Sequence, residues 1–346
     1  MKEIVKIYLT VALLLMMPAY VWAQVDTSQQ PDFTAIDGEI IPFTVKISPK
    51  TPKPYEEVVI DLVSFRINLD RSNISWHINN ILQSSGVGDK RFSFKTGRAG
   101  SLSSVDIEVI AEGGKIFNKT IDIRPADVSL VWQAETYTPP FYKGRALPSS
   151  DATIKIIAFP NIVTSDGVRI SSKNLAYRWK VGNKFDLDNS GVGKNIIHIK
   201  GAKTNSFVFV GVDVTTFDGS IKASGSMHIS AGNPKLIFYE DGPLLGVKYE
   251  NALNKVFNLG GNEVSIKAEP YFFSKDDSVD YQWVLNNKEI EVGADKWNSL
   301  TLTRDGDESG SAQIKLTLST IDRVLQFDDE GLIINFGEKV SNFFGL

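Results

Sequence analysis

Asn73-Ile-Ser-Trp-His-Ile78, Leu175-Ala-Tyr-Arg-Trp-Lys180 and Val279-Asp-Tyr-Gln-Trp-Val284 carry one pattern three times along the chain. On a β-strand, residues two apart share a face, so Ile74, Tyr177 and Tyr281 stand beside Trp76, Trp179 and Trp283. An apolar residue inside an alternating run follows 31 positions after each tryptophan: Ile107, Val210 and Ile314. Each is expected to lie opposite its tryptophan in a sandwich core. The tryptophans therefore count three copies of one all-β unit.

Working outward, each tryptophan run is preceded by a strand rich in β-branched residues: Val58 to Val63, Thr153 to Ala158 and Glu263 to Ala268. Each is followed by a period-two run: Val105, Ile107 and Val109; Val208 to Val214; Ala312 to Leu318. Polar neighbours such as Asp106, Glu108 and Lys315 alternate with them, as in an antiparallel strand with one wet face. Gly113-Gly114 and Asp218-Gly219 then supply hairpin turns, a signal that the third copy lacks. Many short strands with frequent turns and no long helical period predict an all-β chain of three tandem immunoglobulin-like β-sandwich domains in an elongated array. The expected boundaries are 41–127, 128–235 and 236–336, with a signal peptide at 1–23, a tether at 24–40 and a tail at 337–346.

These runs, from Ile74-Ser-Trp76 through Tyr177-Arg-Trp179 and Tyr281-Gln-Trp283 to the alternating strands, resemble tandem immunoglobulin-like and polycystic-kidney-disease (PKD)-like bacterial surface domains across roughly residues 41 to 336. The resemblance implies a two-sheet sandwich used at a cell surface. The chain departs from it in having no cysteine for an inter-sheet disulfide and no Gly-Asp-Gly turn after the Tyr-x-Trp.

The opening residues combine Lys2 and Lys6, an apolar run from Ile7 to Met17, and Val21-Trp-Ala23 after Pro18. This reads as an export signal cleaved after Ala23, with an uncleaved anchor as the alternative, and places the protein outside the cytoplasm. With no cysteine, stability must come from packing, and a buried tryptophan supplies what a disulfide otherwise would. The net charge is −4 with both signs interspersed, and no run of Lys or Arg is dense enough to track phosphates, so nucleic acid is not expected as a partner. Short junctions at Arg124-Pro125 and Gly232-Asn-Pro234 contain no Gly/Ser-rich linker. They predict a semi-rigid rod on the order of 90–100 Å long. At the C-terminus, Val340, Phe343 and Phe344 could share one face of a short helix docked on the third domain.

No catalytic constellation is expected. His77, His198 and His228 lie singly on strands, and no Gly-x-Ser-x-Gly nucleophile motif occurs. Asp186-Leu-Asp-Asn-Ser-Gly191 and Asp305-Gly-Asp-Glu-Ser-Gly310 resemble the front of a calcium loop, but Ile197 and Leu316 stand where a bidentate glutamate would complete it. They read as acidic turns, and neither metal nor cofactor is expected. The candidate ligand-binding residues are Tyr137, Phe141 and Tyr142, flanking Pro139-Pro140; their counterpart in the third copy runs from Tyr239 to Tyr249. Rigid aromatics with polar tips suit binding surfaces. Both segments follow the first strand of a domain, which favours packing into the joint with the preceding domain over ligand contact. The functional expectation is a non-enzymatic structural, adhesive or assembly module of a bacterial envelope or surface, with envelope or surface proteins and glycans as partners. The alternative is a carbohydrate- or peptide-binding accessory protein using the aromatic loops. Membrane contact is expected only through the N-terminal segment.

Overall fold

In the computed structural model, the described residues are 41–203, 206–275, 278–306, 308–321 and 325–337. The expected signal, tether and C-terminal tail lie outside them. The described chain forms three immunoglobulin-like β-sandwiches in tandem. The first contains β1 (Thr44–Ser48), β2 (Glu57–Val63), β3 (Asn73–Ile78), β4 (Ile81–Val87), β5 (Arg91–Lys95), β6 (Ser103–Ile110) and β7 (Ile116–Ile123). Its sheets run β1-β2-β5 and β4-β3-β6-β7. The second contains β8 (Asp127–Ala134), β9 (Thr153–Asn161), β10 (Ala176–Val181), β11 (Lys184–Val192), β12 (Ile196–Lys200), β13 (Phe207–Thr215) and β14 (Lys222–Ser230). Their order, β8-β9-β12 against β11-β10-β13-β14, repeats that of the first.

The third domain elaborates the plan. It holds β15 (Lys235–Gly242), β16 (Gly246–Ala252), β17 (Val256–Leu259), β18 (Glu263–Tyr271), β19 (Val279–Leu285), β20 (Lys288–Ile290), β21 (Ser299–Thr303), β22 (Gly310–Thr320) and β23 (Phe327–Phe336). One sheet runs β16-β15-β18-β21 and the other β17-β23-β22-β19-β20. β17 pairs in parallel with β23, the one parallel pairing among the described strands. Four residues of β17 are too short a signal to read from periodicity. β22 turns back into β23 as an antiparallel pair despite lacking a Gly-Gly or Asp-Gly turn.

Each sandwich has its own apolar core, and Trp76, Trp179 and Trp283 are all essentially buried at the centres. Trp76 pairs with Ile107 as expected. In the other two domains the cross-strand partners are Val212 and Leu316, while Val210 and Ile314 sit opposite Val181 and Leu285. The constant 31-residue interval thus misplaces the register in two copies. The path between the paired strands is two residues longer there, and strand period two returns the same face to the core.

Burying an indole leaves its N–H in need of an acceptor. All three are satisfied alike: Trp76 Nε1 donates to the Asp89 carbonyl at 2.7 Å, Trp179 Nε1 to Lys194 at 2.8 Å, and Trp283 Nε1 to Trp297 at 2.6 Å. In the first two domains the acceptor directly follows a turn that ends in glycine, Gly88 and Gly193, each with φ above +70°. Their N–H groups bond the Ser72 and Leu175 carbonyls. Gly86-Val-Gly88 and Gly191-Val-Gly193 thus end strands β4 and β11 and turn at their second glycine, which aims the next carbonyl at the tryptophan. Tyr177 adds a bond to the Ser172 carbonyl, and burial raises its pKa to about 12.

Candidate functional site

The chain leaving β8 carries the aromatic segment to the far end of the second domain, where it meets the third. Thr136 bridges Ser274, Tyr137 N–H donates to the Phe273 carbonyl, and Phe272 N–H donates to the Tyr137 carbonyl, both at 2.7 Å. The segment therefore serves the joint with the following domain. This corrects the expectation of a joint with the preceding one. The cause is geometric: β8 begins beside the first domain and its extended residues span the sandwich, so whatever follows it emerges at the opposite end. The counterpart from Tyr239 to Tyr249 does face back to the preceding domain. Both segments thus build one joint.

Glu269 lies at its centre, only 2% exposed. Its two carboxyl oxygens accept from the Tyr137 hydroxyl at 2.7 Å and the Tyr249 hydroxyl at 2.8 Å. Tyr239 and Tyr271 bond hydroxyl to hydroxyl at 2.6 Å, and Tyr142 sets its ring edgewise against Tyr271 and Phe272. On the other side of the joint, fully buried Gln326 accepts from Ser274 N–H at 3.0 Å and donates to the Ser150 carbonyl at 2.7 Å. A buried acid and a buried amide, each bonded across two domains, make this joint part of the interior.

Among the candidate residues, Tyr137 and Tyr142 are joint components. Phe141 differs: it is 87% exposed, has φ +64°, and touches the cluster only at its edge, 6.3 Å from Tyr249 between ring centroids. Positive φ is uncommon for a bulky residue and worth weighing as a sign of function.

The pKa values of Tyr137, Tyr249 and Tyr271 are pushed above 10, first by burial, then by hydrogen bonds to Glu269 for the first two and to Tyr239 for the third. An unfolded chain releases these protons near pH 10, whereas the joint retains them. The stability they contribute is whole below about pH 10 and declines as pH rises beyond it. Tyrosinate absorbance should therefore rise in two phases, with the later phase coinciding with loosening of the joint in small-angle scattering. A single phase near pH 10 with an unchanged profile would contradict the buried network.

The remaining motifs have structural placements. Asp186 and Ser190 lie within β11 at a register shift, where Ser190 Oγ accepts from Trp179 N–H and the Asp186 carboxylate accepts from Asn189; the motif is a bulge inside a strand and not a turn between strands. Of its counterpart, Asp307 lies outside the described residues. His77 stands across from Asp106, His198 lies 3.9 Å from Glu135, and His228 packs between Phe207 and Phe209. The Asp328 carboxylate accepts from Leu236 N–H and fastens the first strand of the third domain; burial raises its pKa. Among the described residues no three His, Asp or Glu side chains gather closely enough to hold a metal ion, and no helix is long and apolar enough to cross a membrane.

The sequence reading missed Glu269 and Gln326. A lone Glu in Ala268-Glu-Pro and a Gln after Leu325 carry no local signal, because their role depends on partners 132 and 176 residues away.

No family model and no curated protein matches the chain. Solved structures align over most of its length. The three N-terminal domains of the bacteriophage RB49 Highly Immunogenic Outer Capsid protein share 14% identity, covering 85% of this chain and 98% of that one at a TM-score of 0.25. A central fibronectin-III array of RIM-binding protein shares 11%, with 85% and 97% covered at 0.27. The Bacteroides ovatus mixed-linkage glucan utilization locus protein SGBP-B, solved with a mixed-linkage heptasaccharide, shares 12%, with 88% and 71% covered at 0.18. At these scores no residue correspondence follows, and the immunoglobulin-like assignment rests on the strand order of the chain itself.

Proposed function

We propose that the protein is an exported, non-enzymatic structural and interaction module of a bacterial envelope or surface, holding its sandwiches as a semi-rigid spacer. The observation that carries this reading is the joint between the second and third domains, where Glu269 and Gln326 are buried and bonded across both. Such a contact resists the relative motion that is the default for domains joined by a small polar interface. Small-angle scattering of the chain from residue 24 should give an extended profile with a maximum dimension on the order of 90–100 Å, as three strand-lengths laid end to end require. A compact globule, or the profile of freely hinged beads, would refute the spacer.

A second reading, a carbohydrate- or peptide-binding accessory protein, is favoured by the exposed, positive-φ Phe141. Because this ring contributes little buried area, Phe141→Ala should leave the melting temperature unchanged to within about 2 °C. Loss of saturable binding to glycans or envelope fractions in that variant would establish the second reading. A large fall in melting temperature would instead return Phe141 to the joint.

A further inference from the structure

We propose that the outer face of the second domain's larger sheet, walled by the first domain, is a binding cleft for an acidic polysaccharide, a chain of sugar rings bearing carboxylates. The floor is made by the outward residues of β10, β13 and β14. Register sets Lys180 beside Gly211 and Gly211 beside Ser226, while Arg178, Asp213 and Ser224 form the next row. Gly211 interrupts a row of side chains, and a Cβ there would come within 3.2 Å of the Phe209 ring. That missing side chain makes the trough. One groove of about 500 Å³ lies over Lys180, Phe185, Phe209 and Gly211, and another of about 660 Å³ lies over Tyr177, Thr215 and Lys222. Arg178, Asp213 and Ser224 line both. The volumes fall in the range of ligand clefts, which occur preferentially where domains meet.

The first domain supplies the overhanging wall. Lys53 lines the first groove and Lys50 and Thr51 the second, and the Thr51 hydroxyl hydrogen-bonds that of Ser224 across the domain boundary. Five cations thus converge: Lys50, Lys53, Arg178, Lys180 and Lys222. Against them stand Asp213, bonded to Arg178 at 2.9 Å, and Asp127, 3.6 Å from Lys53. The cleft is therefore a positive site on a protein of net charge −4. Two cations are held over aromatic faces, Arg178 at 4.7 Å from the Phe185 centroid and Lys180 at 5.9 Å from that of Phe209. Such stacking fixes the charges in advance and lowers the entropy lost on binding.

Carboxylates suit these cations, and Asp213 already displays that chemistry at the cleft. Carbohydrate is favoured over acidic peptide by the floor. The backbone groups of β10 and β13, the central strands of the floor, are committed to their neighbours on both sides, so a peptide laid over them would find no edge to extend. What the cleft offers is Phe185, half exposed, for the apolar faces of sugar rings, with Ser224 and Ser226 for hydroxyls and lysines for charge.

The test measures binding of the exported-length chain to polygalacturonate, with a neutral glucan, polyglutamate and single-stranded DNA as comparators. Saturable binding to polygalacturonate alone is expected, weakening as added salt screens the cleft. Two variants divide charge from shape: Lys180→Glu with Lys222→Glu reverses the field, and Gly211→Leu fills the trough while leaving the charge intact. Each should lower affinity about tenfold or more. Lys50→Glu, on a loop outside the sheet, supplies a charge test if the sheet variants fail to fold. No saturable polygalacturonate binding, equal or tighter binding of polyglutamate or DNA, or full affinity in a folded Gly211→Leu protein would each overturn the proposal. The spacer reading survives all three results, because it is tested by shape alone.

Discussion

Trp179→Ala is expected to destabilise the second domain by about 3–5 kcal/mol, the usual cost of removing a large aromatic from a packed core. The indole is wholly buried among Ile154, Ile156, Val212 and their neighbours. For a sandwich of this size that corresponds to a fall of more than about 10 °C in its melting transition. Calorimetry of the whole chain should show one transition displaced strongly and the others much less, since the other two cores contain their own tryptophans. Trp179→Phe separates the contributions: it retains ring packing but leaves the Lys194 carbonyl without its donor, at about 1–3 kcal/mol. Unchanged transitions in both variants would mean that the tryptophans do not anchor the domains.

The second large effect belongs to Glu269→Ala, which strips the acceptor from the Tyr137 and Tyr249 hydroxyls inside the joint. Each buried group left unpaired costs about 1–3 kcal/mol. The loss falls on a contact between domains, so the expected outcome is a joint that opens with both sandwiches intact. Spin labels on exposed sites of the second and third domains should report a broadened distance distribution, while near-ultraviolet circular dichroism keeps its tryptophan signature. Gln326→Ala should do the same from the opposite side, since it removes the bonds to Ser150 and Ser274. Narrow distributions in both variants would show that the main-chain bonds at Tyr137 and the aromatic stacking hold the joint without these side chains.

What could be read from the sequence was what repeats locally. Alternation along Val105, Ile107 and Val109 announces a strand because neighbouring residues meet different solvents. The tryptophans announce cores because their volume requires one. Register was less legible: a fixed interval from the tryptophan found Ile107 but missed Val212 and Leu316, because loop length varies while the strand period does not. The direction in which an aromatic segment packs was invisible, since Tyr137 reads the same whether its domain neighbour precedes or follows. The cleft over Gly211 was equally hidden. Its cations come from Lys50, Lys53, Arg178, Lys180 and Lys222, too far apart in sequence to read as a basic cluster.

Gln326 also imposes an order of assembly. Chains are completed from the N-terminus and their domains generally fold as units, earliest first. The first two sandwiches have all their strands once residue 230 has been made. The amide that ties Ser150 to Ser274 arrives almost a hundred residues later, just before β23. A nascent or truncated chain ending before Gln326 would thus carry two sandwiches with all their strands and a third that lacks both β23 and the bond to Ser150.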